Sequence, residues 1–181
     1  MNLFFTADTH FGHINILKYC NRPFESVEEM DEELILRWNI AVGQNDIVYH
    51  LGDFSITDDI KRNRLVDRLN GKIFFIPGSH DKDPRGPNWT VLSPLEIVTL
   101  PNIDKITKKN VRVSLCHYSM RSWYISHYGS WHLFGHHHGK LEPYGLSFDV
   151  GVDTNDFYPY SLDDVEKKMK NLKPIVDYRV K

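Results

Sequence analysis

Cysteine is scarce in this sequence: Cys20 and Cys116 are the only two among 181 residues, and they form no C-x-x-C pair. A disulfide framework is therefore not expected, and a reducing compartment such as the cytoplasm fits this usage. The start of the chain lacks the charged segment and the long apolar core of a signal peptide. No apolar run approaches the ~20 residues of a membrane helix, so we predict a cytoplasmic protein without a membrane segment.

An excess of charge of one sign is also missing. The 22 Lys and Arg residues are nearly balanced by 24 Asp and Glu residues, which gives a formal net charge of −2. This balance argues against a strong nucleic-acid-binding surface. The hydrophobic fraction of 41% is high enough to form a buried core and too high for a disordered chain. We find no internal repeat, and the length indicates one domain spanning residues 1–181.

Histidine, in contrast, is abundant, with ten residues that are unevenly distributed. Three of them form the run "HHH" at 136–138. Neutral imidazole is the commonest nitrogen ligand of metal ions in proteins, so the histidine content suggests metal chemistry. His50 and His132 are predicted to be hydrogen-bonded core or interface residues instead, and His127 is predicted to be a loop residue.

Short apolar runs predict seven strands. They cover residues 2–7, 46–52, 72–76, 95–101, 110–116, 130–135 and 146–151. The fourth and fifth strands are separated by a lysine-rich turn, which is typical of an antiparallel hairpin. Residues 174–180 are predicted to form a final strand or an extended tail.

Helical patterning separates the first three strands. Ser26 and Glu29 form a capping box before apolar residues at helical spacing. A second helix is predicted to begin at Thr57, and a last helix at Ser161. The predicted inward-facing residues of the second helix are Ile60, Leu65 and Leu69. The first half is therefore βαβαβ and the second half mainly β, which indicates an α/β protein with more than one sheet packed in layers.

Carboxylate and imidazole side chains follow five of the predicted strands. Along the chain these are Asp8 and His10 in "DTH", Asp53 in "GDF", His80 and Asp81 in "GSHD", His117 in "CH", and His136 and His138 in "GHHH". Ligands of open α/β sheets bind at the carboxyl ends of strands, so these side chains are expected to meet in one site. Residues i and i+2 of an extended chain point the same way. The outer histidines of "HHH" should therefore face the site, as should both polar residues of "DTH", while His137 points away.

The ligand types indicate two divalent metal ions rather than one. Two carboxylates and four imidazoles exceed the needs of one tetrahedral ion, but they suit two ions ~3.5–4 Å apart with one bridging carboxylate. Two such ions stabilise an in-line displacement at phosphorus. Mixed nitrogen and oxygen ligands fit Mn²⁺, our first choice, and also Fe, Zn²⁺, Ni²⁺ and Co²⁺. Glycines at 52, 78 and 135 closely precede these groups, where the backbone must turn tightly or approach another group.

In this order, "DTH", "GDF", "GSHD", "CH" and "GHHH" resemble the motif series of the calcineurin-like metallophosphoesterases, from Asp8 to about Asp153. The segment "DTHFGHINILKYCNRPF" and the late "GVD" resemble the small stand-alone bacterial and phage members. The resemblance implies an α/β fold that forms a four-layer αββα sandwich, in which two mixed β-sheets are flanked by helices.

The resemblance also implies a role for each motif residue. The implied ligands of the first ion are Asp8, His10 and His138, the bridging ligand is Asp53, and the ligands of the second ion are His117 and His136. A family asparagine that holds the second ion is replaced here by Ser79, whose hydroxyl is a shorter and poorer ligand. His80 would lie near the leaving group, oriented by Asp81. A loop-capping carboxylate is the equal alternative for Asp81.

The function that follows is hydrolysis of a phosphoester by a dimetal centre. The chain is too small for a large protein-docking surface beside the site, so we favour a phosphodiesterase acting on a nucleotide or another small phosphodiester. A phosphomonoesterase is the alternative within the same class. An impaired or non-catalytic metal-binding scaffold is the alternative of a different class, and Ser79 is the feature that supports it.

Four residues are candidates for substrate contacts. They are His13, Asn15, Arg22 and Arg121. Arginine can bind a phosphate bidentately, but an ion pair with a surface acid is the alternative prediction for Arg22. The aromatic segment 118–131 is a candidate platform for a nucleobase, or it packs the loop itself. The oligomeric state is left open.

Overall fold

The structure, a computed structural model, describes residues 1–81, 89–100 and 110–175. It contains two mixed β-sheets and helices, as predicted. The strands are β1 Leu3–Thr6, β2 Ile47–His50, β3 Lys72–Phe75, β4 Trp89–Val91, β5 Leu95–Leu100, β6 Val111–Cys116, β7 Trp131–Phe134, β8 Ser147–Asp149 and β9 Tyr160–Ser161. The helices are α1 Ile16–Tyr19, α2 Val27–Ala41, α3 Asp59–Val66 and α4 Leu162–Lys170, with 3-10 turns at Ser126–Tyr128 and Val152–Thr154.

The first sheet has five strands in the order β4-β3-β2-β1-β9. Strands β1 to β4 pair in parallel, with Phe4 opposite Val48 and Val48 opposite Ile73. Strand β9 pairs antiparallel with β1. Parallel neighbours need a crossover connection, and α2 and α3 lie in the crossovers from β1 to β2 and from β2 to β3. The predicted βαβαβ order is therefore confirmed.

The second sheet has the order β5-β6-β7-β8. Strands β5 and β6 pair antiparallel, which confirms the predicted pairing. The lysine-rich turn between them and nearly all of the predicted final strand lie outside the described residues. Strands β6, β7 and β8 pair in parallel, so their carboxyl ends lie at one edge of this sheet.

Two hydrophobic layers pack against the first sheet. Phe4 belongs to the layer beneath α2 and α3, which includes Trp38. Phe5 belongs to the layer that includes Leu115 and Leu133 of the second sheet, to which α4 also contributes. Successive residues of a strand point to opposite faces, so a short apolar run such as β1 contributes to both layers. None of the helices in the described residues has the length and hydropathy that a membrane crossing needs.

Two of the three predicted helix starts are confirmed. The Ser26 side chain accepts a hydrogen bond from the backbone N–H of Glu29 at 3.1 Å and begins α2. The Ser161 side chain accepts one from Asp164 at 3.2 Å and begins α4. Each serine pairs an otherwise unsatisfied N–H of the first helical turn.

The predicted start of the second helix was wrong by one residue. Asp58, not Thr57, caps α3 by accepting a hydrogen bond from the backbone N–H of Lys61 at 2.8 Å. Aspartate is the stronger N-cap of the two. Ile60, predicted to face inward, is 67% exposed, whereas Val66 is buried at 2% exposure.

The two sheets meet at the edge where the strand-end motifs lie. Ala7, directly after β1, forms a parallel bridge with Gly151, shortly after β8. Val152 donates a backbone hydrogen bond to the oxygen of Ala7 at 3.0 Å, and Asp8 donates one to Gly52 at 2.9 Å. Backbone contacts thus hold together the segments that follow β1, β2 and β8. We call this edge the seam.

Candidate metal centre

Ligand-type side chains gather in two clusters at the seam. The first cluster is Asp8, His10 and His138, and the second is Asp53, His117 and His136. Within each cluster the candidate ligand atoms lie within 4.8 Å of one another. The segments after β1 and β2 supply both carboxylates, and those after β6 and β7 supply most of the imidazoles. Each cluster therefore combines side chains from both sheets.

Asp53 connects the two clusters. Its Oδ2 lies 3.7 Å from Nε2 of His10 in the first cluster and 3.3 Å from Nε2 of His117 in its own. One carboxylate oxygen therefore faces imidazoles of both clusters. This is the placement that a bridging carboxylate needs.

Two buried imidazole nitrogens face this space without a hydrogen-bond partner in the described structure. They are Nε2 of His10 and Nε2 of His117. Buried polar atoms are nearly always paired, so both indicate a group that coordinates nitrogen. The other nitrogen of His117, Nδ1, donates to the backbone oxygen of Leu51 at 2.7 Å, which leaves the Nε2 lone pair toward the cluster. Such lone pairs beside carboxylate oxygens fit divalent metal ions.

Burial changes the titration of both clusters. The pKa of Asp8 is raised to about 7, mainly because burial disfavours its charged form. Burial also lowers the pKa of His10 to about 3, so His10 is neutral at pH 7 and offers a lone pair. Burial opposes the ionisation of Asp53 too, but the positive charge of a protonated His117 and the backbone N–H of His80 outweigh it, and the pKa of Asp53 lies below its ordinary value. Divalent cations would favour the ionised form of Asp8 as well.

Backbone conformation aims the side chains at the site. Five of the six cluster residues have a positive φ: Asp8 57°, His10 52°, Asp53 54°, His136 71° and His138 50°. Such values are uncommon outside glycine and concentrate at functional sites. The paired residues therefore face the site from tight turns, and the prediction that extended chain aims them was wrong. His137 does point away, with Nε2 3.0 Å from Oγ of Ser119.

All three predicted glycines are required by close approach, and a Cβ on Gly52 would lie 2.5 Å from the backbone N of Gly78. A Cβ on Gly78 would overlap Oδ1 of Asp53, and a Cβ on Gly135 would lie 2.6 Å from Oδ2 of Asp8. The backbone after β3 and β7 therefore packs directly on the two carboxylates. Any side chain at these positions would displace a cluster residue.

Ser79 contacts the shared carboxylate. Its hydroxyl donates to Asp53, with Oγ 3.0 Å from Oδ2 and 3.2 Å from Oδ1. The backbone N–H of His80 donates to Oδ1 at 2.9 Å. The segment after β3 therefore stabilises the charge of Asp53 through two donors, and Ser79 supplies a hydroxyl where an asparagine would supply an amide oxygen.

The Asp81 carboxylate binds backbone N–H groups of the loops after β2 and β3. Its Oδ2 accepts backbone hydrogen bonds from Asp53 at 2.6 Å and Gly78 at 2.7 Å, and its Oδ1 accepts one from Phe54 at 3.0 Å. Because the backbone engages both oxygens, these contacts favour the loop-capping alternative over the role of orienting His80. Asp81 thereby fixes the turn that presents Asp53.

His80 lies outside both clusters. Its side chain is exposed, and its ring centre is 5.7 Å from that of His10 and 6.3 Å from that of His13. The His13 ring is itself 5.3 Å from that of His10. These three imidazoles form one rim of the site, and two of them are partly or fully open to solvent.

Two other residues predicted to contact substrate are exposed. Asn15 precedes α1 without capping it through its side chain. Arg121 borders a cavity of about 200 Å³ that is also lined by Met120 and Phe134. No contact of either residue with the two clusters is seen among the described residues, so both roles stay predictions.

Arg22 was predicted to bind substrate, and the structure contradicts this role. The residue is only 4% exposed. Its guanidinium donates to the backbone oxygens of Asp8 at 2.7 Å and Thr9 at 2.9 Å, and Nε and Nη2 each donate to one oxygen of Asp153 at 2.8 Å. A buried carboxylate neutralises the charge and buried acceptors use the donors, so a phosphate has no access to it. The alternative of a surface ion pair was also wrong, because the acid is buried.

Asp153 is the residue that sequence reasoning missed. Its Oδ2 lies 2.7 Å from Nδ1 of His138. Burial disfavours the charged form of His138, but hydrogen bonds to Asp153 and Cys20 outweigh it and raise the pKa of His138 to about 10. The "GVD" motif ends in Asp153 after β8, but the sequence does not indicate that Asp153 contacts His138.

A third group of possible ligand atoms lies beside the first cluster. Cys20, His138 and Asp153 are close enough to share an ion. Arg22 occupies both oxygens of Asp153 with a positive charge, so this group is unsuited to a cation. Both cysteines of the chain are free thiols.

His50 and His132 are hydrogen-bonded core residues, as predicted. Nδ1 of His50 accepts the backbone N–H of Gly52 at 3.2 Å, and its Nε2 lies 3.1 Å from a threonine hydroxyl. His132 donates from Nδ1 to the oxygen of Ser114 at 2.9 Å and accepts at Nε2 from the N–H of Met120 at 3.2 Å. Both nitrogens of each ring are engaged, so neither residue is available as a ligand.

The chain resembles known proteins over almost its whole length. The family model described as calcineurin-like phosphoesterase matches residues 1–174. An uncharacterized protein of Methanocaldococcus jannaschii is 35% identical over 182 residues, which cover 96% of this chain and 94% of that protein. The gene 66 protein of Mycobacterium phage L5 is 41% identical over 83 residues, 44% of this chain and 40% of that protein.

A solved structure shares the fold. A protein of unknown function from Aquifex aeolicus superposes with a TM-score of 0.66 at 20% identity. The match covers 92% of this chain and 98% of the other.

Proposed function

The chain belongs to the calcineurin-like phosphoesterase family, and we propose that it is a dimetal-dependent phosphodiesterase acting on a nucleotide or another small phosphodiester. The family supports phosphoester hydrolysis. Two metal ions and a diester substrate are the finer parts of the proposal. The observation that carries the two metal ions is Asp53, whose Oδ2 faces imidazoles of both clusters. The free thiols fit a reducing compartment, so we infer a cytoplasmic reaction.

The two clusters would each hold one divalent ion, with Asp53 shared. The first ion would bind Asp8, His10 and His138, and the second His117 and His136. Divalent ions bound by these residues would supply Lewis acids that stabilise negative charge at phosphorus and activate water. Imidazole and carboxylate ligands favour Mn²⁺ as our first choice, with Fe, Zn²⁺, Ni²⁺ and Co²⁺ as alternatives.

Residues of the loop after β3 orient the reacting groups. The Ser79 hydroxyl contacts both oxygens of Asp53 and the N–H of His80 binds Oδ1, so the carboxylate is held in the orientation in which Oδ2 faces both clusters. Asp81 holds the same loop through three backbone N–H groups. The His80 side chain, exposed at the rim, is our candidate to protonate the leaving oxygen. His13, beside it, is our candidate to contact a phosphate oxygen.

An aromatic side chain beside the second cluster favours a diester. Tyr118 is 47% exposed, and its ring centre lies 5.0 Å from that of His117 and 4.9 Å from that of His136. Such a ring can stack on a nucleobase or another planar group. A diester keeps one organic substituent on the phosphate while the other departs, and that substituent can be held by the ring.

A panel of chromogenic esters with Mn²⁺ tests the proposed reaction. We expect bis(p-nitrophenyl) phosphate and the p-nitrophenyl ester of thymidine monophosphate to be hydrolysed with a higher kcat/KM than p-nitrophenyl phosphate. Chelation of the metal should remove the activity. Hydrolysis of the monoester alone would replace the diesterase by a monoesterase. No hydrolysis of any ester by the Mn²⁺-loaded protein would favour a metal-binding scaffold.

The Ser79→Asn variant tests whether serine weakens the second ion. The amide oxygen of asparagine is a better ligand than a hydroxyl, so we expect the weaker Mn²⁺ to bind at least about tenfold more tightly, or about 1.4 kcal/mol. Calorimetric titration and metal counting measure this change. Ser93→Asn, an exposed serine outside both clusters, is the matched control. If Ser79→Asn and the wild type bind two ions equally and hydrolyse equally well, the impaired-site alternative fails.

A further inference from the structure

We propose that Arg22 and Asp153 form a buried clamp that positions His138, so that the first metal ion binds more tightly than the ion beside Ser79. This inference rests on the metal centre of the proposed function and adds two positioning residues and an order of affinity to it. It assigns to Arg22 a role beneath the site instead of a role in substrate binding.

Arg22 joins the turn after β1 to the turn after β8. Its Nε and Nη2 bind the two oxygens of Asp153 at 2.8 Å each. Its Nη2 and Nη1 also bind the backbone oxygens of Asp8 and Thr9 at 2.7 and 2.9 Å. The planar guanidinium presents these donors in a fixed arrangement that a lysine cannot reproduce. One side chain therefore sets the position of Asp8 relative to Asp153.

Asp153 in turn decides which nitrogen of His138 faces the first cluster. Its Oδ2 lies 2.7 Å from Nδ1 of His138, so Nδ1 holds its proton and Nε2 is the nitrogen that a metal ion can bind. A carboxylate that accepts the second N–H of a metal-binding histidine fixes the tautomer and the ring orientation and makes the ligand more basic. The clamp thus holds the His138 ring in the orientation that presents Nε2 to a cation.

The location of the clamp explains why a buried ion pair is present. Burying an arginine and an aspartate costs desolvation free energy that apolar residues would avoid. The arginine compensates the charge of Asp153, so the clamp presents a carboxylate to His138 without adding net negative charge. An ion pair that only joined two turns could lie anywhere in the core, but this one lies directly against Asp8 and His138.

The second cluster has no equivalent support among the described residues. Nδ1 of His117 donates to the backbone oxygen of Leu51, which is a neutral acceptor and raises ligand basicity less than a carboxylate does. Ser79 stands where an amide ligand would complete this ion's ligand set. Both differences favour tighter binding at the first cluster.

Titration of Mn²⁺ alone into the full-length protein tests the clamp. We expect two classes of sites in the wild type. Asp153→Asn and Arg22→Lys should weaken the tighter class by about 10–100-fold and change the weaker class less than twofold. In the Zn²⁺-loaded wild type, nitrogen NMR should show His138 protonated on Nδ1, and Asp153→Asn should lose this signature.

Arg37→Lys is the matched control, because Arg37 also pairs with two carboxylates, of Glu33 and Asp156, but contacts neither cluster. Folded variants, judged by circular dichroism and thermal melting, that keep the tighter affinity would overturn the proposal. Equal weakening of both classes would overturn it as well. If Asp153→Asn does not fold, the milder Arg22→Lys and the His138 spectrum decide. A wild type that binds Mn²⁺ but hydrolyses no ester contradicts the proposed reaction and leaves the clamp intact.

Discussion

Asp53→Asn is expected to lower kcat by at least about 1000-fold, which corresponds to about 4 kcal/mol of transition-state stabilisation. The amide is close in size to the carboxylate, and its one oxygen can still accept from Ser79 or the N–H of His80. Its nitrogen is a donor without a lone pair to offer. Oδ2 of Asp53 faces both His10 and His117. The asparagine side chain can therefore no longer serve as a ligand shared by the two clusters.

Metal counting distinguishes a lost ion from lost folding in this variant. We expect Asp53→Asn to keep at most one tightly bound Mn²⁺ and a wild-type circular dichroism spectrum. Asp31→Asn is the matched control: the Asp31 carboxylate accepts the N–H of Gly12 at 3.0 and 3.1 Å and belongs to neither cluster. Its activity should stay within about threefold of the wild type, a rate difference below about 1 kcal/mol. More than a tenth of wild-type activity with both ions bound in Asp53→Asn would contradict a shared carboxylate.

His80→Ala should produce a loss that depends on the leaving group. Removal of a general acid typically costs about 10²–10⁴-fold, and we expect this loss for a diester whose leaving group is an alkyl alcohol. Hydrolysis that releases p-nitrophenolate should fall less than about tenfold, because this anion leaves without a proton. The placement that motivates the prediction is the exposed imidazole beside His10 and His13, outside both clusters.

Steady-state kinetics on the two diesters measure the difference. His127→Ala is the control, because His127 is an exposed histidine of the 3-10 turn Ser126–Tyr128. This position agrees with its prediction as a loop residue. The variant should leave both rates unchanged. An equal loss on both substrates in His80→Ala would show that His80 acts by charge or by binding and not by proton donation.

The gathering of side chains was predictable from the ends of the strands. Parallel strands bring their carboxyl ends to one edge, so Asp8 and Asp53 were expected together once β1 and β2 were recognised. Their backbone conformation was not predictable, because a positive φ at Asp8 depends on a contact such as its N–H bond to Gly52, far away in sequence. The rule that residues i and i+2 of an extended chain point the same way correctly predicted that these side chains meet. The reason was wrong, because the residues lie in turns with positive φ.

The roles of charged residues around the clusters were harder to predict. Arg22 and Asp153 are 131 residues apart, and no local pattern links them. In the sequence, Arg22 lies near the predicted phosphate site, which favoured a substrate contact. In the structure Arg22 is buried, and its guanidinium donates to protein acceptors instead. For Asp81 the sequence predicts two alternatives, and the backbone N–H groups bound to its carboxylate favour loop capping.

Short elements escaped prediction for a related reason. Strand β4 has three residues, β9 has two, and α1 is a single turn of four. Periodicity needs a longer window to be visible. These elements exist because a neighbour provides hydrogen bonds, as β3 does for β4 and β1 does for β9, and a local sequence does not contain that information.

The seam has a mechanical consequence. Each cluster takes side chains from both sheets, so an ion bound there would act as a crosslink between the two halves of the sandwich. The chain has no disulfide among the described residues, and a ligand that binds only the folded state stabilises it more the more tightly it binds. Bound metal would then support both catalysis and the stability of the fold. The metal-free protein would be less stable as well as less active.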